Sequence, residues 1–142
     1  KTISISAKIV YVSQLGGLNM IRDEIREDLW KSISAHYEKG DFTESLRDAM
    51  FLVNEIIREK SGLLDKDGTK LMEASFLGKN AALLINKNET TTEKDIQEGI
   101  GFAFKGLSLS VRNPISHENI ATTKSEANAI GLAILNCTRK MW

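Results

Sequence analysis

The stretch EGIGFAFKGLSLSVRNPISHEN, Glu98 to Asn119, decides how the rest of the chain is read. Its first half has helical periodicity. Its second half holds the single proline, Pro114, and one of the two histidines, His117. Proline lacks an N–H and clashes with the carbonyl four residues earlier, here that of Ser110, so the helix is predicted to end or kink at this point. Asn113 is a good N-cap, and Pro114 suits the first position of a new helical turn. Arg112 then falls on the last turn of one helix and His117 one turn into the next. In a straight helix, side chains five residues apart project about 140° from each other. The kink therefore sets whether the two converge. An arginine supplies a permanent cation with a planar fork of donors, and a histidine a proton acceptor near neutral pH. The plain alternative is that Arg112 pairs with Glu118 or Asp95 and that His117 is a helix-end residue.

Working outward, Thr90, Thr91 and Thr92 offer N-caps for the helix that leads into this joint. Ile96, Ile100, Ala103, Leu107 and Val111 are expected to form its buried stripe, with Phe104 beside it. Gly99, Gly101 and Gly106 each cost up to about 1 kcal/mol of helix propensity relative to alanine. Three such residues predict a close approach, by another helix or by a twin subunit. Beyond the joint, Thr123 and Glu126 have capping-box spacing. They open a last helix with Ala127, Ile130, Ile134, Cys137 and Met141 on one face. Cys137 lies in that apolar pattern and reads as a small buried hydrophobe, not a nucleophile.

Upstream, Ile21, Ile25, Leu29, Ile33 and Tyr37 recur every fourth residue, predicting an amphipathic helix from Asn19 to near Gly40. Trp30 reads as packing, and His36, in the last turn, complements the helix dipole. Asp41 and Glu44 have the spacing of a capping box. The helix that follows buries Leu46, Ala49, Met50, Val53, Ile56 and Ile57 and stops at Gly62. Its other face, with Arg47, Asp48, Glu55, Arg58 and Glu59, reads as solvated. The short joint at Gly40-Asp41 makes the two an antiparallel hairpin.

Asp65, Asp67 and Gly68 resemble part of a calcium loop, but the later bidentate glutamate is missing, so the segment reads as a turn. Thr69 is expected to cap a short helix with Leu71, Met72 and Phe76. Residues 78–89 read as a connecting loop and as the least ordered part of the chain. Residues 2–12, TISISAKIVYV, alternate in a strand-like way with no evident partner. Residues 1–18 are taken as an N-terminal extension, and residues 19–142 as one helical domain.

At 142 residues, a single domain buries roughly 70% of the surface its unfolded chain exposes, enough to dispense with disulfides or a structural metal. The 19 basic and 19 acidic residues balance, which removes any bulk electrostatic case for nucleic acid or an anionic membrane and leaves only a local basic patch. One cysteine excludes an intrachain disulfide and a cysteine-rich zinc site. No apolar run approaches the roughly 18 residues of a membrane span, and these residues show no signal-peptide pattern. A cytoplasmic setting with no membrane partner is the expectation. The chain opens at Lys1 without an initiator methionine, so an excised piece of a longer protein is also expected.

VRNPISH resembles the Arg-Asn-x-x-x-His signature of the HEPN superfamily. The chain is more specifically similar to a Ymh-type prokaryotic family of HEPN-like proteins. That pattern reads here as EKSGL at 59–63, DGTKLMEASF at 67–76 and EGIGFAFKGLSLSVRNPISH at 98–117, followed by the closing helix. The likeness spans roughly residues 25 to 140, with the first eighteen outside it. It implies an all-α bundle of four to five helices. It also implies a metal-independent endoribonuclease with no cofactor, working as a homodimer whose two Arg-His motifs line one cleft. Arg112, Asn113 and His117 would form the site. RNA would be the substrate, and the setting prokaryotic defence, as a toxin or abortive-infection protein with an antitoxin or other protein partner. HEPN-like domains that lack activity imply the alternative: a helical module that binds RNA, nucleotide or a protein, or that serves for dimerisation.

Overall fold

A computed structural model of the chain describes residues 25–141, and every regular element among them is helical. In order these are α1 (Glu27–Glu38), α2 (Phe42–Ser61), α3 (Gly68–Phe76), α4 (Thr91–Leu107), a π-helical turn (Ser108–Arg112), α5 (Asn113–His117) and α6 (Lys124–Arg139). The backbone runs helically from α4 through the π turn into α5, so five rods make up the described bundle. None of them is long and apolar enough to cross a membrane. The strand-like segment, the N-terminal extension and the expected helix start at Asn19 lie outside the described residues.

α2 is the centre. Leu46, Ala49, Met50, Val53 and Ile57 follow a helical stripe and are buried, and the helix packs against α1, α3, α6 and the π turn. Met50 and Ile57 are fully buried, each stabilising the fold by about 2 kcal/mol. The helix stops at Gly62, whose φ of 71° suits a left-handed C-cap. At the other end Asp41 makes no side-chain capping bond, which corrects the expected capping box. Its carboxylate lies 3.4 Å from Nδ1 of His36, across the α1–α2 turn.

α1 starts at Glu27, later than its periodicity suggests, because Arg26 is extended. Periodicity marks the buried face of a helix but not its ends. Asp28 accepts from the Arg26 guanidinium, which holds its carboxyl below the ordinary range. Trp30, Tyr37 and Phe42 stack edge to face across the hairpin, with centroids 5.9 and 5.4 Å apart, so Trp30 does serve packing. The Tyr37 hydroxyl donates to Asn128 Oδ1 at 2.7 Å, tying the hairpin to α6.

α3 is capped by Asp67, not Thr69, and starts two residues earlier than expected. Its Phe76 ring stacks on Phe104 of α4 at 5.0 Å, and both are buried. The buried line of α4 also differs from expectation. It runs through Gln97, Gly101, Phe104, Ser108 and Val111, while Ile96 is exposed and Ile100, Ala103 and Leu107 are half-buried. The cause is the nearness of α3: a Cβ on Gly101 would meet the Leu77 side chain at 2.5 Å and the Phe76 Cβ at 2.9 Å. Gly99 and Gly106 have open space around them.

Gln97 corrects a further expectation. Its Nε2 donates to the carbonyls of Phe76 and Leu83, and its Oε1 accepts from the N–H of Ile85, all at 2.8–2.9 Å. The loop over residues 78–89 is thus tied by its backbone, with Leu83 and Ile85 packed on the core. Thr90 with Glu93, and Thr123 with Glu126, form complete capping boxes at the starts of α4 and α6.

Candidate functional site

Proline removes the N–H that would bond the Ser110 carbonyl, and the chain answers with a wider turn instead of a break. Leu107, Ser108, Arg112 and Asn113 all keep right-handed helical dihedrals, and the Asn113 N–H reaches back five residues to the Ser108 carbonyl. Asn113 is therefore inside the helix and not an N-cap, which corrects the expected joint. The Ser110 hydroxyl donates to the Gly106 carbonyl and the Ser116 hydroxyl to that of Arg112, each at 2.7 Å. The helix ends at His117, because Glu118 turns extended.

This geometry points Arg112 at the start of α3. Its Nη2 donates to Asp67 Oδ2, and its Nη1 lies 3.4 Å from Asn113 Oδ1. Neither Glu118 nor Asp95 is its partner. Gly68 makes the approach feasible. Its φ is 54°, and a Cβ there would stand 3.2 Å from Arg112 Nη1. The Asp-Gly of α3 and the Arg-Asn of the π turn, 45 residues apart at Asp67 and Arg112, are one structural unit.

Asp67 gathers more than one cation. Its Oδ1 accepts from the Gly68 N–H at 2.8 Å and from Arg58 Nη2 at 3.3 Å. Arg58 also donates to the Lys66 carbonyl and to Glu55, while Arg47 donates to Glu44 and, at 2.9 Å, to the Ile115 carbonyl. The face of α2 expected to be merely solvated thus sends two arginines across to α3 and α5. They line a cleft of about 240 Å³ with Arg112, Asp67, Glu55, Phe51, Asn54, Ile115 and Ser116. Three guanidiniums against two carboxylates leave a formal excess of one positive charge. A guanidinium has more N–H donors than these bonds use, so the cleft can still bind an anion bidentately.

Of the residues expected at the site, Arg112 lines the cleft and Asn113 touches its guanidinium. His117 is exposed and does not line it. One chain therefore does not gather all three around a single cavity. Asn54 and Phe51 were not singled out from the sequence, while Asp67 was read as part of a turn and Arg47 and Arg58 as a solvated face. Asn54 had a readable signal, being a polar residue inside the apolar stripe between Met50 and Ile57. A second cleft of similar size, beside Pro114 and Ile120, has Glu126 as its charged group, and that side chain is engaged in the capping box of α6. Among the described residues no group of three or more His, Cys, Asp or Glu could hold a metal ion.

A family described as "Protein of unknown function (Hypoth_ymh)" matches residues 23–139. The chain belongs to the Hypoth_Ymh family. That match contains the whole cleft, from Arg47 to Ser116, together with His117. No curated protein and no solved structure matches the chain. Membership of Hypoth_Ymh agrees with the Ymh-type resemblance drawn from the Asp-Gly and Arg-Asn-Pro segments.

Proposed function

We propose that this Hypoth_Ymh chain is a metal-independent endoribonuclease of the HEPN type. It would be a cytoplasmic homodimer in prokaryotic defence, held in check by an antitoxin or another protein partner. The HEPN-like domain would span residues 19–142, with residues 1–18 as an N-terminal extension. The observation that carries this reading is the cleft in which Arg112, seated by Asp67 and Asn113, faces two further guanidiniums.

In the reaction, the RNA 2′-oxygen attacks the adjacent phosphorus while the bond from phosphorus to the 5′-oxygen breaks. The products are a 2′,3′-cyclic phosphate and a free 5′-hydroxyl. His117 takes the proton of the 2′-hydroxyl or gives one to the leaving 5′-oxygen. Arg112 stabilises charge growing on the phosphoryl oxygens. Asn113 holds the guanidinium in place. A second copy supports the exposed position of His117, because it would bring that side chain against the partner's cleft. Gly99, Phe102, Gly106 and Leu109 share one side of the α4–π run, with Phe102 and Leu109 more than half exposed, and they supply a face for that copy.

The test is cleavage of total RNA in EDTA by wild type beside His117→Ala, with far-UV circular dichroism on both. Wild-type cleavage to cyclic-phosphate ends, lost in the variant, is the expected result. Equal cleavage by both proteins rejects it. A second reading, a non-catalytic module binding RNA or nucleotide, is favoured by one observation: His117 does not line the arginine cleft. Binding of RNA in a gel shift, with no turnover by wild type, would select it.

A further inference from the structure

Asn54 is 3% exposed, lines the arginine cleft, and its Oδ1 has no hydrogen-bond partner. Leaving a buried amide oxygen unpaired is unfavourable, and a leucine would match the apolar neighbours Met50, Val53 and Ile57. Phe51, on the wall of the same cleft, is 67% exposed and contributes nothing to the core. Two features that the fold does not need therefore sit side by side.

Phe51, Asn54 and Arg58 follow one another at i, i+3 and i+7 along α2, a run of roughly 10 Å on one helix face. Their order is aromatic ring, amide, guanidinium. A nucleotide presents base, sugar and phosphate in the same order. A phosphate only accepts hydrogen bonds from these groups, so it cannot satisfy an amide oxygen. With the base on Phe51 and the phosphate at Arg58, the group that falls at Asn54 is the sugar, whose hydroxyl can donate.

We propose that this face of α2 is a subsite for one unpaired ribonucleotide. Phe51 stacks on the base, which single-stranded RNA alone leaves free. The Asn54 side chain turns its Oδ1, closed to solvent in the free chain, toward the cleft, where it accepts a hydrogen bond from the ribose 2′-hydroxyl. Arg58 and Arg112, both steered by Asp67, take the phosphate. A deoxyribose leaves Asn54 unpaired, so the subsite separates RNA from DNA. The inference rests on the cleft being the RNA-facing site, but it concerns binding and does not require cleavage.

The experiment measures fluorescence anisotropy of a labelled oligouridylate and its oligodeoxyuridylate counterpart, on the full chain carrying His117→Ala so that the RNA stays intact. The ribo-oligomer is expected to bind about tenfold tighter. Asn54→Leu brings the two oligomers to the same affinity. Phe51→Ala, a surface change that spares the core, weakens both by about fivefold or more. Equal affinity for both oligomers in the parent, or unchanged binding by Phe51→Ala, overturns the subsite. Wild-type cleavage of RNA that persists unchanged when Phe51→Ala and Asn54→Leu are introduced also overturns it, while leaving the ribonuclease reading in place. Ribose preference without any cleavage by wild type supports the subsite and removes the ribonuclease reading.

Discussion

Gly68→Ala tests whether the Asp-Gly segment exists to seat Arg112. Gly68 has a φ of 54° and Gly62 one of 71°, both in the left-handed region that an alanine occupies at a cost of about 1–2 kcal/mol. Alanine also lowers the entropy of the unfolded chain, which returns roughly 0.5–1 kcal/mol. Each substitution should therefore destabilise by about 1 kcal/mol, a fall in Tm of about 3–4 °C for a domain of this size. The two sites differ in their surroundings. Nothing lies within 4 Å of a Cβ at Gly62, whereas at Gly68 the Arg112 Nη1 is 3.2 Å away. The guanidinium must shift by a few tenths of an ångström, which weakens its charge-assisted bond to Asp67. Such bonds contribute about 1.5–3 kcal/mol, so misplacing Arg112 should weaken the anion interactions it makes by about tenfold or more. Thermal melts by circular dichroism should show a loss for both variants, somewhat larger for Gly68→Ala, because the weakened and partly exposed Arg112–Asp67 pair adds up to about 1 kcal/mol. Oligouridylate binding by anisotropy should drop for Gly68→Ala alone. Equal binding by the two variants would refute the idea that Gly68 serves the site.

Three further outcomes follow from the packing. Gly101→Ala should lower the urea midpoint, because about 1–3 kcal/mol of overpacking against Leu77 and Phe76 outweighs the propensity gain, whereas Gly131→Ala, in open space on α6, should raise it slightly. Gln97→Leu should destabilise by about 2–4 kcal/mol, since it frees three backbone groups, and hydrogen exchange should speed up at Ile85 first. Glu93 accepts from the backbone N–H groups of Thr90 and Glu89, which hold its carboxyl below the ordinary 4.5. A folded-state pKa that is depressed adds stability above the unfolded value and loses it as pH falls through the folded one. Glu93→Gln should accordingly lower stability at neutral pH, change it little well below pH 4.5, and so flatten the profile between the two, as read by urea titration at stepped pH.

Much of the fold was legible in residue order, because helix faces and caps are local. The stripe of Leu46, Met50, Val53 and Ile57, the stop at Gly62 and the capping box of Thr123 with Glu126 depend on residues within a few turns of each other. Family membership was legible for the same reason, from short segments in order. Arg112 and Asn113 were readable as motif residues, but that Asn113 touches the Arg112 guanidinium is seen only in the structure. What sequence reading missed was non-local. Whether Pro114 breaks a helix depends on whether the turn before it can widen, and here Ser108 to Arg112 does so within a packed helix. Whether Arg47 and Arg58 are solvated depends on what α3 and α5 bring opposite them: Asp67, the Lys66 carbonyl and the Ile115 carbonyl. The sequence by itself determined that the described residues are helical, with an Arg-Asn-Pro joint, since hydrophobic period and backbone chemistry act over a few residues. Only the tertiary structure decided that the joint faces an arginine-lined cleft without His117, because a cleft is made by elements whose approach no local pattern encodes.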